Sequence, residues 1–217
     1  DLEAISNFRQ ACELNPALIG SWKALHELFK SNNNKIASDH ALEQFNKFKR
    51  LPNALLYIDQ IMNEDRLGLA EIKCREFLKK FPTHTYAMSQ LAEIASRLGH
   101  YNDAEYLLEQ ATNFEPNNPD LRMKYLMVLR KTQKFIKTSQ QVNILCEKFP
   151  NNPIYELQKA IELMQNGKNS SAIDMLNHII KKSPTNFSAF TSRGHAEKTL
   201  GKTDDAIDSY QQAYKIK

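Results

Sequence analysis

The sequence predicts an all-α protein, a right-handed superhelical solenoid of antiparallel helix pairs. Three observations predict this class: prolines recur every 34 residues, glycines recur midway between them, and small residues recur at one fixed offset. A helical unit that is copied along a chain can bury its apolar face only by stacking on its neighbours.

The prolines mark where the second helix of each pair stops. Proline lacks the amide hydrogen and restricts the residue before it, so a helix ends before that residue. The series is Pro82, Pro116, Pro150 and Pro184. The next proline of the series would be position 218, so we expect the array to continue in a longer protein.

The turn inside each pair is marked by glycine, seventeen residues before the proline position. Glycine adopts the left-handed conformation at low steric cost and so closes the first helix. The dipeptides at this turn are Leu98-Gly99, Asn166-Gly167 and Leu200-Gly201. Asp65 and Gln133 take the same position in two copies, and Ser31-Asn32-Asn33-Asn34 replaces the turn in a degenerate one.

A small residue twelve positions before each proline lets the second helix lie close on the first. The series is Ala70, Ala104, Thr138, Ala172 and Ala206. Apolar residues at helical spacing complete the buried face of both helices. Asn118-Pro119 and Asn152-Pro153 start the next first helices, since proline is tolerated in a first turn.

This pattern resembles the tetratricopeptide repeat, and the resemblance covers essentially the whole chain. The motif's first-helix positions in an early copy are Trp22, Leu25 and Phe29. Its second-helix positions in a truncated copy are Phe8, Ala11 and Pro16. The resemblance implies that first helices line a concave surface and second helices a convex one.

The repeats divide residues 1–217 into a single array without a linker. The expected units are a half repeat at 1–18, a short repeat at 19–50, and repeats at 51–84, 85–118, 119–152, 153–186 and 187–217. Both ends carry apolar residues spaced for burial, namely Leu2, Ile5 and Phe8, and Tyr210, Ala213 and Tyr214. Natural arrays usually end in a polar face. We therefore expect either that the protein is longer or that its ends pack on another copy.

Composition disfavours several classes of function for this chain. The 29 basic and 25 acidic residues give a net charge of +4, which is typical of solvated helix faces and disfavours a nucleic-acid stripe. No apolar run reaches the ~18–20 residues that cross a bilayer, so no membrane partner is expected. Cys12, Cys74 and Cys146 form no Cys-x-x-Cys pair, which predicts reduced core thiols in a cytoplasmic protein and no metal or other cofactor.

No catalytic motif is present in the sequence, so the chain is not expected to be an enzyme. Asp204-Asp205 is interpreted as a pair of carboxylates at a helix N-terminus. His195 is interpreted as a groove-lining or packing residue rather than a general base.

In this repeat class, ligands contact first-helix positions that are not used for packing. The resemblance therefore predicts a groove that binds a protein, a peptide or a domain following residue 217. Its residues are Lys23, Glu27, Tyr86, Glu93, Arg97, Met123, Met127, Arg130, Leu157, Ile161, Met164, His195 and Lys198. Methionines suit irregular partners. The alternative is that these side chains serve packing alone.

A narrower resemblance concerns two segments. Arg193–Gly201, and Ala11–Pro16 with Trp22–Leu25, are similar to repeats that precede a sulfotransferase domain in bacterial proteins. This implies a substrate-recruiting arm whose catalytic domain lies after residue 217.

Two other binding modes are disfavoured. A clamp for chaperone tails needs Lys-x-x-x-Asn on a first helix, and Lys23 is followed by Glu27. RNA binding needs a basic groove, which Glu27, Asp59 and Glu93 interrupt.

Overall fold

The computed structural model describes residues 2–15 and 18–216, which form thirteen α-helices and no strand. The helices are α1 Leu2–Leu14, α2 Ile19–Ser31, α3 Lys35–Lys49, α4 Asn53–Asn63, α5 Leu67–Lys80, α6 Thr85–Arg97, α7 Tyr101–Phe114, α8 Pro119–Lys131, α9 Phe135–Lys148, α10 Pro153–Gln165, α11 Asn169–Lys182, α12 Phe187–Thr199 and α13 Thr203–Ile216. The predicted all-α class is confirmed. The motif position Pro16 lies outside the described residues.

After α1, the helices follow one another as pairs from α2–α3 to α12–α13. From α6 onward, every first helix has 13 residues and every second helix has 14. Helices α5, α7, α9 and α11 each end two residues before a proline of the 34-residue series, as predicted. The intervening residue donates its amide to the carbonyl four residues earlier, as Phe81 does to Phe77.

The turn within each pair has the predicted left-handed residue. Gly99, Gly167 and Gly201 have φ of 83°, 73° and 75°. Where glycine is absent, Asn33, Asp65 and Gln133 adopt φ of 55°, 57° and 55°. The turn geometry is therefore kept even where the glycine is lost.

The small residues of the second helices are buried, as predicted. Ala70, Ala104, Thr138, Ala172 and Ala206 are each at most 3% exposed. First helices α8 and α10 begin at Pro119 and Pro153, and the side chains of Asn118 and Asn152 cap them by accepting backbone amides.

The described chain forms two compact units, Asp1–Pro116 and Asn117–Lys217. The cores of the first unit include a cluster around Leu25 and Phe29 and a larger one around Ile58 and Ile94. The second unit has one cluster around Leu126 and Leu145 and another around Leu176 and Ile179. The assignment of the chain to a single continuous array stays a prediction.

The end residues differ in burial. Ile5 and Ala213 are buried, whereas Leu2 and Tyr214 are exposed. Among the described helices, none combines the length and the apolar character that crossing a bilayer requires.

Candidate functional site

The predicted groove residues of the second unit lie on its three first helices. Helix α10 contacts α12, and Arg130 connects α8 to α10. We call this set the α8–α10–α12 surface, and it consists of Met123, Met127, Arg130, Ile161, Met164, His195 and Lys198.

Arg130 is held in place by the neighbouring helix. Its Nη1 donates to Oε1 of Gln158, and its Nη2 donates to the Gln158 carbonyl oxygen at 3.3 Å. Burial lowers the pKa of Arg130, while the Glu162 carboxylate acts in the opposite direction. The buried Nε has no hydrogen-bond partner among the described residues. A fixed guanidinium therefore lies on this surface, with its Nε enclosed by the protein.

Apolar side chains contribute the rest of the α8 and α10 portion. Met127 is 58% exposed. Met123 is half-buried against the cluster of Leu126 and Leu145. Ile161 and Met164 are half-buried against the cluster of Leu176 and Ile179. Met127 is thus the most exposed apolar side chain of the set.

Leu157 differs from the other predicted groove residues. It is only 9% exposed and belongs to the core cluster with Ala160 and Leu176. The structure therefore places Leu157 in the core, because the side chains of α11 cover it.

The α12 portion is polar. His195 and Lys198 are both exposed. Nδ1 of His195 lies 3.0 Å from the Tyr210 hydroxyl, and the two rings meet edge to face at 5.5 Å. His195 is thus oriented by α13, and the surface has two nitrogen-bearing side chains at this end.

A buried acidic group lies between α9 and α10, and the sequence analysis missed it. Glu162 is buried, accepts a hydrogen bond from the Ser139 hydroxyl, and pairs with Lys159 at 2.9 Å. The Lys-x-x-Glu spacing on α10 was the available signal. The partner Ser139 comes from the other helix, so the sequence did not reveal it.

The predicted residues of the first unit are largely used for helix packing. The Tyr86 hydroxyl donates to Oδ2 of buried Asp59 at 2.7 Å, and burial with the nearby carboxylate raises the pKa of Tyr86. Arg97 pairs with Glu93 at 2.8 Å and donates to the Met62 carbonyl at 3.1 Å. These contacts join α6 to α4.

Lys23 and Glu27 are exposed on α2 and take no part in the α4–α6 contacts just described. The structure thus brings the predicted residues of α6 into one contact set with α4. It leaves the pair on α2 as solvent-facing charges.

The described residues hold no cluster suited to a metal ion, and their three cysteine thiols are buried or half-buried. No group of three or more His, Cys, Asp or Glu side chains there can hold a metal ion. Burial raises the pKa of the Cys12, Cys74 and Cys146 thiols, which keeps them in the unreactive protonated form.

Comparisons with known proteins identify the repeat. The tetratricopeptide repeat family matches residues 187–217. No curated protein matches the chain in sequence. None of the matches supports the sulfotransferase resemblance, and the Gly194 in its segment has a packing role, since an added Cβ would lie 2.6 Å from the Tyr210 ring.

Several solved structures share the fold. MamA has a TM-score of 0.62 at 15% identity, over 73% of this chain and 93% of MamA. YrrB, described as a TPR protein with an unusual peptide-binding site, has a TM-score of 0.56 at 16% identity over 97% and 92% of the two chains. A tetratricopeptide repeat protein from Parabacteroides merdae has a TM-score of 0.68 at 14% identity, over 91% and 79%. The chain carries a tetratricopeptide repeat at residues 187–217 and has the fold of tetratricopeptide repeat proteins.

Proposed function

We propose that this chain is a non-catalytic protein-interaction module whose α8–α10–α12 surface binds a peptide or protein segment. The observation that carries this proposal is Met127, which is 58% exposed on α8, one helical turn from half-buried Met123, while Ile161 and Met164 are half-buried on α10. Methionine side chains adapt to partners of irregular shape.

Arg130 gives this surface a polar anchor. Gln158 accepts one hydrogen bond from each of the two terminal nitrogens of Arg130, which fixes the guanidinium and leaves a second N–H on Nη1 and on Nη2. A backbone carbonyl or a carboxylate of the bound segment is the group that such a donor would bind. The segment can belong to another protein or to the same polypeptide.

The predicted groove residues of the first unit give less support for partner binding than those of the second unit. Tyr86, Glu93 and Arg97 are engaged between α4 and α6, which favours packing for them. Partner binding by Lys23 and Glu27 stays a prediction. The buried thiols suit a reducing compartment, and we propose the cytoplasm as the place where the module acts.

Methionine methyl signals test the proposed surface. Peptides are selected from a random displayed library on the immobilised chain, and the best is titrated into protein labelled at the methionine methyl carbons. We expect the signals of Met123, Met127 and Met164 to move, and those of buried Met62 and Met88 to stay in place. Movement of only the latter two, or no selected peptide at all, would overturn the proposal.

A pair of variants checks the same point by affinity. Met127→Glu places a charge at the most exposed apolar side chain of the proposed surface, and we expect affinity for the selected peptide to fall at least about tenfold. Ile72→Glu is the matched control because Ile72 is equally exposed, at 57%, on α5. Equal affinity of the wild type and Met127→Glu would show that the peptide binds elsewhere.

A further inference from the structure

A pocket of about 350 Å³ lies in the first unit, lined by side chains of α1, α2 and α3. Helix α2 contributes Trp22, Leu25 and Phe29 to its lining. Leu25 and Phe29 are buried, and the half-buried Trp22 ring meets the His40 ring edge to face at 5.8 Å between centroids. Sites for small molecules have volumes of about 300–1,000 Å³ and are mostly apolar, with a few polar groups. This pocket therefore has the size and the lining of a small-molecule site.

Small side chains on both sides of α2 leave room for the pocket. Cys12 of α1 and Ala41 of α3 line it and are 4% and 1% exposed. Cys12 stands four residues before the closing proline of its repeat, as Leu78 does in a later one. Ala41 stands eight residues after its left-handed turn residue, as Leu107 does. Leu78 and Leu107 pack against the core around α6. The smaller residues thus leave open beside α2 a space that leucine side chains occupy beside α6.

Two side chains of opposite charge line the same pocket, and both come from α1. Arg9 and Glu13 are one helical turn apart and exposed. The guanidinium carbon of Arg9 lies 5.1 Å from the centroid of the buried Phe29 ring. Neither Arg9 nor Glu13 forms an ion pair with another side chain of the described part of the chain. One side of an apolar pocket therefore offers a cation and an anion to the same bound molecule.

We propose that this pocket binds a free amino acid with a large apolar side chain. Such a molecule carries a carboxylate, an ammonium group and an apolar group on one carbon atom. The Arg9 guanidinium would bind the carboxylate and the Glu13 carboxylate would bind the ammonium group, since charge-assisted hydrogen bonds are the strong ones. The apolar group would lie against Trp22 and Phe29, whose rings offer edge and face contacts.

Charge complementarity selects this class of ligand. A ligand with a single charge would match only one of Arg9 and Glu13, and an uncharged apolar ligand would match neither. The inference extends beyond the proposed peptide binding, because the pocket belongs to the first unit and shares no residue with the α8–α10–α12 surface.

Tryptophan fluorescence of the whole chain tests the proposal. Trp22 is the only tryptophan in the sequence, so its emission reports on this pocket alone. We expect L-phenylalanine and L-leucine to change the emission in saturable titrations, and glycine, which lacks an apolar side chain, to leave it unchanged. N-acetyl-L-phenylalanine lacks the ammonium charge and L-phenylalaninamide lacks the carboxylate. Each should bind at least about tenfold more weakly than L-phenylalanine.

Variants assign each ligand charge to its partner. Arg9→Gln should weaken binding of L-phenylalanine at least about tenfold and leave binding of L-phenylalaninamide unchanged. Glu13→Gln should likewise weaken L-phenylalanine and leave N-acetyl-L-phenylalanine unchanged. Glu43→Gln and Arg50→Gln are the matched controls, because both residues are exposed charges that do not line the pocket, and they should bind like the wild type.

Filling the pocket should abolish binding. Ala41→Leu introduces the side chain that the chain has at the matching position, Leu107, and circular dichroism checks that this variant and the charge variants are folded. Wild-type affinity in folded Ala41→Leu, or no saturable change with either apolar amino acid, would overturn the proposal. Equal affinity for L-phenylalanine and N-acetyl-L-phenylalaninamide would also overturn it, since the pocket would then bind an apolar side chain of a peptide.

Discussion

At the scale of single residues, the left-handed turn position shows how a local rule persists without its usual residue. Gln133 has φ of 55° where Gly99 and Gly167 have 83° and 73°. Its amide donates to the Arg130 carbonyl at 3.1 Å, as the amide of Gly167 does to Met164 at 3.0 Å. The same hydrogen bond closes both turns, so the neighbouring structure imposes the conformation on glutamine.

This imposition has a cost that can be measured. A residue with a Cβ in the left-handed region is destabilised by about 1–2 kcal/mol, part of which the greater chain entropy of glycine offsets. We expect Gln133→Gly to raise the free energy of unfolding by about 0.5–1 kcal/mol in urea denaturation. Thr132→Gly, at φ of −90°, should lower it instead. A lower stability of Gln133→Gly than of the wild type would show that its side chain stabilises the turn.

At the scale of elements, α12 and α13 are held close by a glycine. A Cβ added at Gly194 would lie 2.6 Å from Cε1 of Tyr210, a distance that requires movement of the ring. Beside this contact, Arg193 donates to the Ser209 hydroxyl at 2.9 Å, and that hydroxyl donates to Glu197 at 2.6 Å. The pair is thus fixed by one close approach and one buried polar network.

Alanine at this position should therefore be harmful in spite of its helix propensity. We expect Gly194→Ala to cost about 1–3 kcal/mol and to lower the melting temperature. Gly68→Ala in α5 is the matched control, since nothing lies within 4 Å of the added Cβ, and it should be neutral or stabilising by up to about 1 kcal/mol. Equal effects of the two changes would contradict the close approach of α12 and α13.

At the scale of the whole molecule, buried acidic protons link stability to pH. Burial raises the pKa of Cys74 from 9.0 to about 12, and its Sγ donates to the Ala87 carbonyl. The folded chain keeps this proton after the unfolded chain has lost it. Stability from this group is therefore complete below about pH 9 and declines as the pH rises from there towards 12.

We expect the free energy of unfolding to fall by about 1.4 kcal/mol per pH unit from Cys74 alone in this range. Tyr86, whose pKa is also raised, should add to the decline above about pH 10. In urea denaturation, Cys74→Ala should reduce the decline of the unfolding free energy with pH between pH 9 and 10. Cys74→Ser also lacks the thiol, so it should show the same reduced decline as Cys74→Ala. An unchanged slope in Cys74→Ala would mean that other groups cause the decline.

The sequence predicts the fold of this chain better than it predicts the candidate site. The helix ends, the left-handed turns and the small buried residues follow from local chemistry of Pro, Gly and Ala, and the structure confirms them. Exposure on the first helices depends on neighbours distant in sequence. Side chains of α11 cover Leu157, and the Ser139 hydroxyl on α9 donates a hydrogen bond to Glu162. Periodicity along a single helix predicts neither contact.

The constant helix lengths from α6 onward restrict how this chain can change in length. A helix turns by about 100° per residue, so one residue inserted in α8 ahead of Met127 would rotate either that side chain or its core partners out of place. The segments between pairs, such as Pro150 to Asn152, carry no such restriction. Insertions and deletions in related chains should therefore collect between the helix pairs and spare their interiors.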